Sequence, residues 1–98
     1  GLGIVKSQQG DLIQAKTLTE EALLIARELN DKRQISFRLN TLGEIARQQE
    51  DTEAARKFYE EALALARQES LKAFIPGFTH NLAMVACFQE DYKAALSY

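Results

Sequence analysis

Ninety-eight residues are enough for one small domain, and a chain that is 46% hydrophobic and 27% charged is composed for folding rather than for disorder. A formal net charge of −2 excludes the basic face that nucleic acid demands, and the pairs Lys32-Arg33 and Arg56-Lys57 sit among acidic residues as part of a mixed, solvated surface. One cysteine, Cys87, leaves no intramolecular disulfide and no sign of an oxidising compartment; the expected location is the cytoplasm. The longest stretch free of Lys, Arg, Asp and Glu, residues 73–89, holds Pro76, Gly77, His80 and Asn81 and is too short and polar to cross a membrane.

Alanine, leucine, glutamate, glutamine and arginine dominate, and all favour helix, while valine and threonine are scarce. The expected fold class is all-α. In chain order, a first helix runs to the triplet Gln9-Gly10-Asp11, and a second carries Ala15, Ala22 and Ala26. A third is drawn by Ile35, Leu39, Leu42 and Ala46, spaced four, three and four, and stops at Gln49-Glu50-Asp51. A fourth carries Ala55, Phe58, Tyr59, Ala62, Leu63 and Ala66 and ends near Glu69 and Ser70. A fifth is expected to begin between Ala73 and Pro76, because a proline is tolerated only in a helix's first turn. It is expected to break at Gln89-Glu90-Asp91.

These elements repeat with a period of 40 residues and no gaps. Leu2-Gly3 matches Leu42-Gly43 and Leu82-Ala83; Ala15 matches Ala55 and Ala95; Glu20-Glu21-Ala22-Leu23 matches Glu60-Glu61-Ala62-Leu63; Ala26-Arg27 matches Ala66-Arg67. The units are a partial repeat over 1–30, a full one over 31–70 and a partial one over 71–98, expected to be a fragment of a longer array. At each triplet the middle residue is expected in the left-handed conformation, free for Gly10 and costing Glu50 and Glu90 about 1 kcal/mol each. Asp11, Asp51 and Asp91 are then expected as helix N-caps. Gly3, Gly43 and Ala83 mark close helix contacts, and Glu53–Lys57, Arg56–Glu60 and Lys57–Glu61 form charge ladders on an exposed face.

The spacing of Leu42-Gly43, Ala55, Tyr59 and Ala62 resembles the tetratricopeptide repeat; Gly3, Ala15, Thr19 and Ala22 follow it in the first unit, and Ala83 and Ala95 in the third. The period departs from the family's usual 34 residues, and Arg27 and Arg67 stand where a proline is usual. The 40-residue form resembles repeats in large bacterial signalling proteins, including LuxR-type regulators. The resemblance implies a superhelix of antiparallel helix pairs whose concave wall binds a protein or peptide. It places Phe37, Asn40, Glu44 and Arg47 on that wall, with Ile4, Ser7 and Gln8 before them and His80, Met84 and Cys87 after. Asn40 matches one position of the family's carboxylate-gripping sites, but Glu44 replaces the next asparagine and no lysine joins them, so that clamp is not expected.

Catalysis is not expected: the chain has no phosphate-binding Gly-rich loop, no Gly-x-Ser-x-Gly elbow and no histidine pair. His80 is the sole histidine, too few ligands for zinc, and no cofactor is expected. The leading expectation is a protein- or peptide-binding scaffold. The alternative is an effector-sensing or oligomerisation arm of a bacterial transcriptional regulator. Phe74, Phe78, Phe88, Tyr92 and Tyr98 make the last third the most aromatic, and it is expected to present an apolar end that self-associates.

Overall fold

A computed structural model describes the backbone of residues 2–96 and the side chains of residues 10–90. It contains four helices: α1 (Leu2–Glu28), α2 (Lys32–Gln48), α3 (Thr52–Gln68) and α4 (Ile75–Leu96). Each packs against its neighbour in sequence, α1 on α2, α2 on α3 and α3 on α4. No strand occurs among the described residues, and the all-α solenoid expected from the sequence is the architecture found.

Three turns of one construction join the helices. Asn30, Glu50 and Ser70 adopt φ of 54°, 65° and 55°, the left-handed cap of a helix C-terminus. Behind each, the amide of the next residue donates to the carbonyl five residues back: Asp31 to Ala26 at 2.9 Å, Asp51 to Ala46 at 2.9 Å and Leu71 to Ala66 at 2.8 Å. A second bond runs from the left-handed residue itself to Arg27, Arg47 or Arg67, at 3.1, 3.0 and 3.2 Å. These paired bonds satisfy carbonyls that the helix end leaves open. The next helix is capped in turn, with the Gln34 amide donating to Asp31 Oδ1 and the Ala54 amide to Asp51 Oδ1, both at 3.2 Å.

Two expected turns are not made. α1 runs without a break through Gln9-Gly10-Asp11, and α4 through Gln89-Glu90-Asp91. Gly10 and Glu90 are therefore helical rather than left-handed, and Asp11 and Asp91 lie inside helices rather than at N-caps. The physical reason is reward. A non-glycine residue in the left-handed region costs about 1–2 kcal/mol, and a break forfeits the cooperative gain of propagation. At Glu50 the return is a whole α2·α3 interface. At the two outer triplets the local signal is weaker. Each turn that forms follows Ile/Leu-Ala-Arg (Ile25-Ala26-Arg27, Ile45-Ala46-Arg47, Leu65-Ala66-Arg67), whereas the other two follow Val5-Lys6-Ser7 and Val85-Ala86-Cys87. An arginine in the last turn favours a helix end by roughly 0.3–1 kcal/mol.

The core lies along the seams between helices. Ala26, Ile35, Leu39, Ala62, Leu63, Ala66 and Phe78 form one buried cluster, and Ala46, Ala55, Tyr59 and Val85 a second. Between α2 and α3 the close approach inferred for Gly43 is observed. A Cβ there would stand 2.6 Å from Tyr59 Cδ1 and Cε1, well inside van der Waals contact. Ser36 adds a buried bond, its hydroxyl donating to the Ala62 carbonyl at 2.9 Å. Ala83, the third member of the Gly3–Gly43–Ala83 series, is exposed. α4 begins at Ile75, with Pro76 inside its first turn. Of the expected charge ladders only Arg56–Glu60, at 2.8 Å, is an ion pair among the described residues, and it is half exposed and worth a few tenths of a kcal/mol.

Candidate functional site

α2 and α4 are successive first helices of the repeat, and the residues between them form a polar strip with apolar shoulders. Its spine is a chain of amides and a carboxylate. Asn81 Nδ2 donates to Asn40 Oδ1 at 3.1 Å, bridging α4 to α2, and Asn40 Nδ2 reaches Glu44 Oε1 at 3.5 Å, one helical turn on. Asn40 is buried, while Asn81 and Glu44 are half-buried. A buried amide must be paired, so Asn40 is fixed in place by its two partners. Glu44 and Asn81 retain hydrogen-bonding capacity toward solvent.

Tyr59 is wholly buried, with its ring against Gly43, the residue before Glu44. Its hydroxyl is buried without a hydrogen-bond partner of adequate geometry. Burial raises the phenol pKa above its ordinary value; nearby Arg47 pulls it back as a potential donor and as a positive charge, and Glu44 pushes it up. The Arg47 guanidinium is close enough to act on the phenol oxygen, and Arg47 itself is exposed.

The shoulders are apolar. Phe37 is 41% exposed and Met84 39%, one on each helix. The Phe37 ring packs tilted against Phe74 at 6.0 Å, and Phe74 stacks on Phe78 at 5.3 Å. Arg33 lies over the Phe74 ring at 5.3 Å and Arg38 over the Phe37 ring at 5.4 Å. These cation–π contacts are worth about 0.5–1 kcal/mol each and cover the aromatic row at its solvent edge.

The residues expected on the wall differ in availability. Phe37, Glu44, Arg47, His80, Met84 and Cys87 keep surface open to solvent, and Asn40 is sealed into the hydrogen-bond chain. Cys87 is exposed rather than packed as a small core residue. Ile4, Ser7 and Gln8 lie outside the residues whose side chains are described. Two participants were missed. Asn81 lies 41 residues from Asn40, one off the repeat register, so it escapes a position-by-position transfer. Tyr59 reads as core by its spacing, and nothing in the pattern shows that its hydroxyl ends below the strip. Of the aromatic last third, Phe78 is buried and Phe74 half-buried, Phe88 is exposed, and the side chains of Tyr92 and Tyr98 lie outside the description.

Among the described residues no group of three or more His, Cys, Asp or Glu is placed to hold a metal ion, and no helix is long and apolar enough to cross a membrane. What the strip offers chemically is paired amide donors and acceptors, one carboxylate and one guanidinium between two hydrophobic contacts. In comparisons with known proteins, a family model described as tetratricopeptide repeat matches residues 1–68. No curated protein and no solved structure matched the chain.

Proposed function

The chain belongs to the tetratricopeptide-repeat family, and we propose that it is a non-catalytic scaffold module that holds an extended peptide segment of a partner protein in the strip between α2 and α4. The family is a repeat scaffold that generally mediates protein–protein interaction, and solenoids use their concave surfaces for it. The observation that carries the reading is the Asn81–Asn40–Glu44 chain set between exposed Phe37 and Met84. An extended peptide presents alternating amide N–H and C=O groups along its backbone and side chains to either side. Asn81 and Glu44 can meet the backbone groups, while Phe37 and Met84 give side chains an apolar seat. Phe37 is an aromatic anchor already braced by Phe74 and Arg38, so seating a ligand on it costs little ordering entropy. Arg47 stands at the Glu50 end of the strip and suits an acidic residue in the ligand.

Selection from a random peptide library against the native chain, followed by binding to Phe37→Ala and Met84→Ala variants, tests this. Selected peptides are expected to lose about tenfold or more on Phe37→Ala and severalfold on Met84→Ala, with helicity unchanged. Peptides that bind both variants as tightly as the native chain would place the site elsewhere.

A further inference from the structure

A hollow continues the strip beyond Phe37, toward the start of α2. Arg33, Leu71, Lys72, Ala73 and Phe74 line it, and its volume of about 200 Å³ is room for one amino-acid side chain. One wall is the first turn of α2 and the other is the connection between α3 and α4, so both come from the interior of the sequence. Leu71 and Phe74 are half-buried and supply its apolar surface, while Arg33 and Lys72 are exposed and supply its charge.

The charge there is of one sign. No Asp or Glu lines the hollow. Asp31, two residues before Arg33, is engaged as a helix cap, its Oδ1 accepting from the Gln34 amide at 3.2 Å. Glu28 and Glu69, at the ends of α1 and α3, are exposed and do not line it. Among the described residues the one ion pair is Arg56–Glu60, so neither Arg33 nor Lys72 has a carboxylate partner, and nor has Arg38, which lies over the neighbouring Phe37 ring at 5.4 Å. Two unpaired cations beside an apolar surface are the complement of a carboxylate. Arginine meets such a group with several N–H donors at once, and arginines beside aromatic rings are frequent carriers of binding energy.

The place of the hollow along the strip sets where that carboxylate must stand. The Phe74 ring that lines it is 6.0 Å from the ring of Phe37, the anchor of the strip. In an extended chain, side chains two residues apart leave on the same face and stand about 6.6 Å apart. The two spacings agree. We propose that the hollow takes the carboxylate of an aspartate or glutamate two residues away from the apolar residue that seats on Phe37. The proposal rests on the strip being a peptide seat and adds the chemistry of the partner, a segment in which an acidic and an apolar residue are separated by one other. A basic residue at the acidic position is rejected, because it would meet Arg33 and Lys72 with like charge. Both cations are exposed, so the attraction is screened and binding weakens as salt is added.

The test is selection of short random peptides on the native chain, followed by charge exchange between peptide and chain. Peptides that lose binding to Phe37→Ala are expected to carry Asp or Glu two residues from their apolar anchor. Replacing that residue by Lys is expected to weaken binding to the native chain by about tenfold. Lys72→Glu, and more fully Arg33→Glu with Lys72→Glu, should then recover the Lys-bearing peptide and reject the acidic one. Lys72→Glu alone leaves Arg33 on the Phe74 ring, so it carries the test should the double variant lose helicity by circular dichroism. Peptides that depend on Phe37 but are indifferent to charge at that position overturn the inference and leave the strip as a peptide seat. So does a Lys-bearing peptide that the charge-reversed chains fail to recover. A library that yields no binder, or only binders indifferent to Phe37→Ala and Met84→Ala, overturns the reading of the strip and this inference with it.

Discussion

Tyr59 concentrates the tension in this molecule. Its ring fills the space that Gly43 vacates, and its hydroxyl ends in a place with no proper partner. Ring burial contributes on the order of 2 kcal/mol, while an unsatisfied buried hydroxyl gives back about 1 kcal/mol or more. Tyr59→Phe is therefore expected to hold or raise stability, by roughly 1 kcal/mol in urea melts at neutral pH. The same residue sets an alkaline limit. Its folded pKa is raised, so the folded state keeps the proton longer than the unfolded chain does. The associated stability is fully present below the unfolded tyrosine value of about 10 and is lost as pH climbs from there through the folded value. Stability measured from pH 9 to 12 should fall less steeply in Tyr59→Phe than in the native chain; parallel curves would show that the phenol does not ionise at a cost. Gly43 gives the complementary test. Gly43→Ala gains about 1 kcal/mol of helix propensity but drives a methyl group into the Tyr59 ring, an overpacking cost of about 1–3 kcal/mol. A net loss is expected in the native background and a net gain when Tyr59 is already Thr. Equal effects in both backgrounds would disprove the contact.

At the level of elements, the competition is between turning and propagating. The periodic positions 10, 30, 50, 70 and 90 are spaced 20 apart, and the chain turns at the middle three and stays helical at the outer two. Much of this was legible in the sequence. The four-three-four spacing of Ile35, Leu39, Leu42 and Ala46 gave α2, the stripe from Ala55 to Ala66 gave α3, and Pro76 marked the start of α4. The turn at Glu50 and the cap at Asp51 were legible because local chemistry and packing agree there. The triplets at Gly10 and Glu90 misled because they share the Gln-x-Asp pattern but lack the Ile/Leu-Ala-Arg that precedes every turn that forms. Asp31 was missed as a cap because the 40-residue comparison pairs it with Leu71; the 20-residue recurrence of Ala-Arg would have found it. Continuity through Gly10 has a direct test. Gly10 is exposed, and nothing lies within 4 Å of an added Cβ. Gly10→Ala is expected to stabilise the chain by up to about 1 kcal/mol and to raise its helicity. If residue 10 instead turned left-handed, the same change would cost about 1 kcal/mol.

Across the whole molecule, the main helix contacts run between neighbours in sequence, so the strip is positioned by a short series of seams rather than by one central core. α2 is placed by Ile35 and Leu39 against Ala62 and Ala66, and α4 by Phe78 and Val85. The Asn81–Asn40 bond then closes the distance between two first helices that α3 holds side by side. The family pattern named Phe37, Asn40, Glu44 and Met84 as wall residues, and the proposed strip is built from them. Their availability was not legible, because whether an asparagine is sealed or a tyrosine hydroxyl is stranded depends on angstrom-level geometry between repeats. The most direct measurement is a two-dimensional amide NMR titration of the chain with a peptide selected on it. Shifts are expected to concentrate on Phe37, Asn40, Glu44, Asn81 and Met84, with side-chain amide signals of Asn40 and Asn81 among the largest, while the Arg56 and Glu60 face of α3 stays still. Perturbations confined to α1 or to that outer face of α3, with the strip unmoved, would contradict the account.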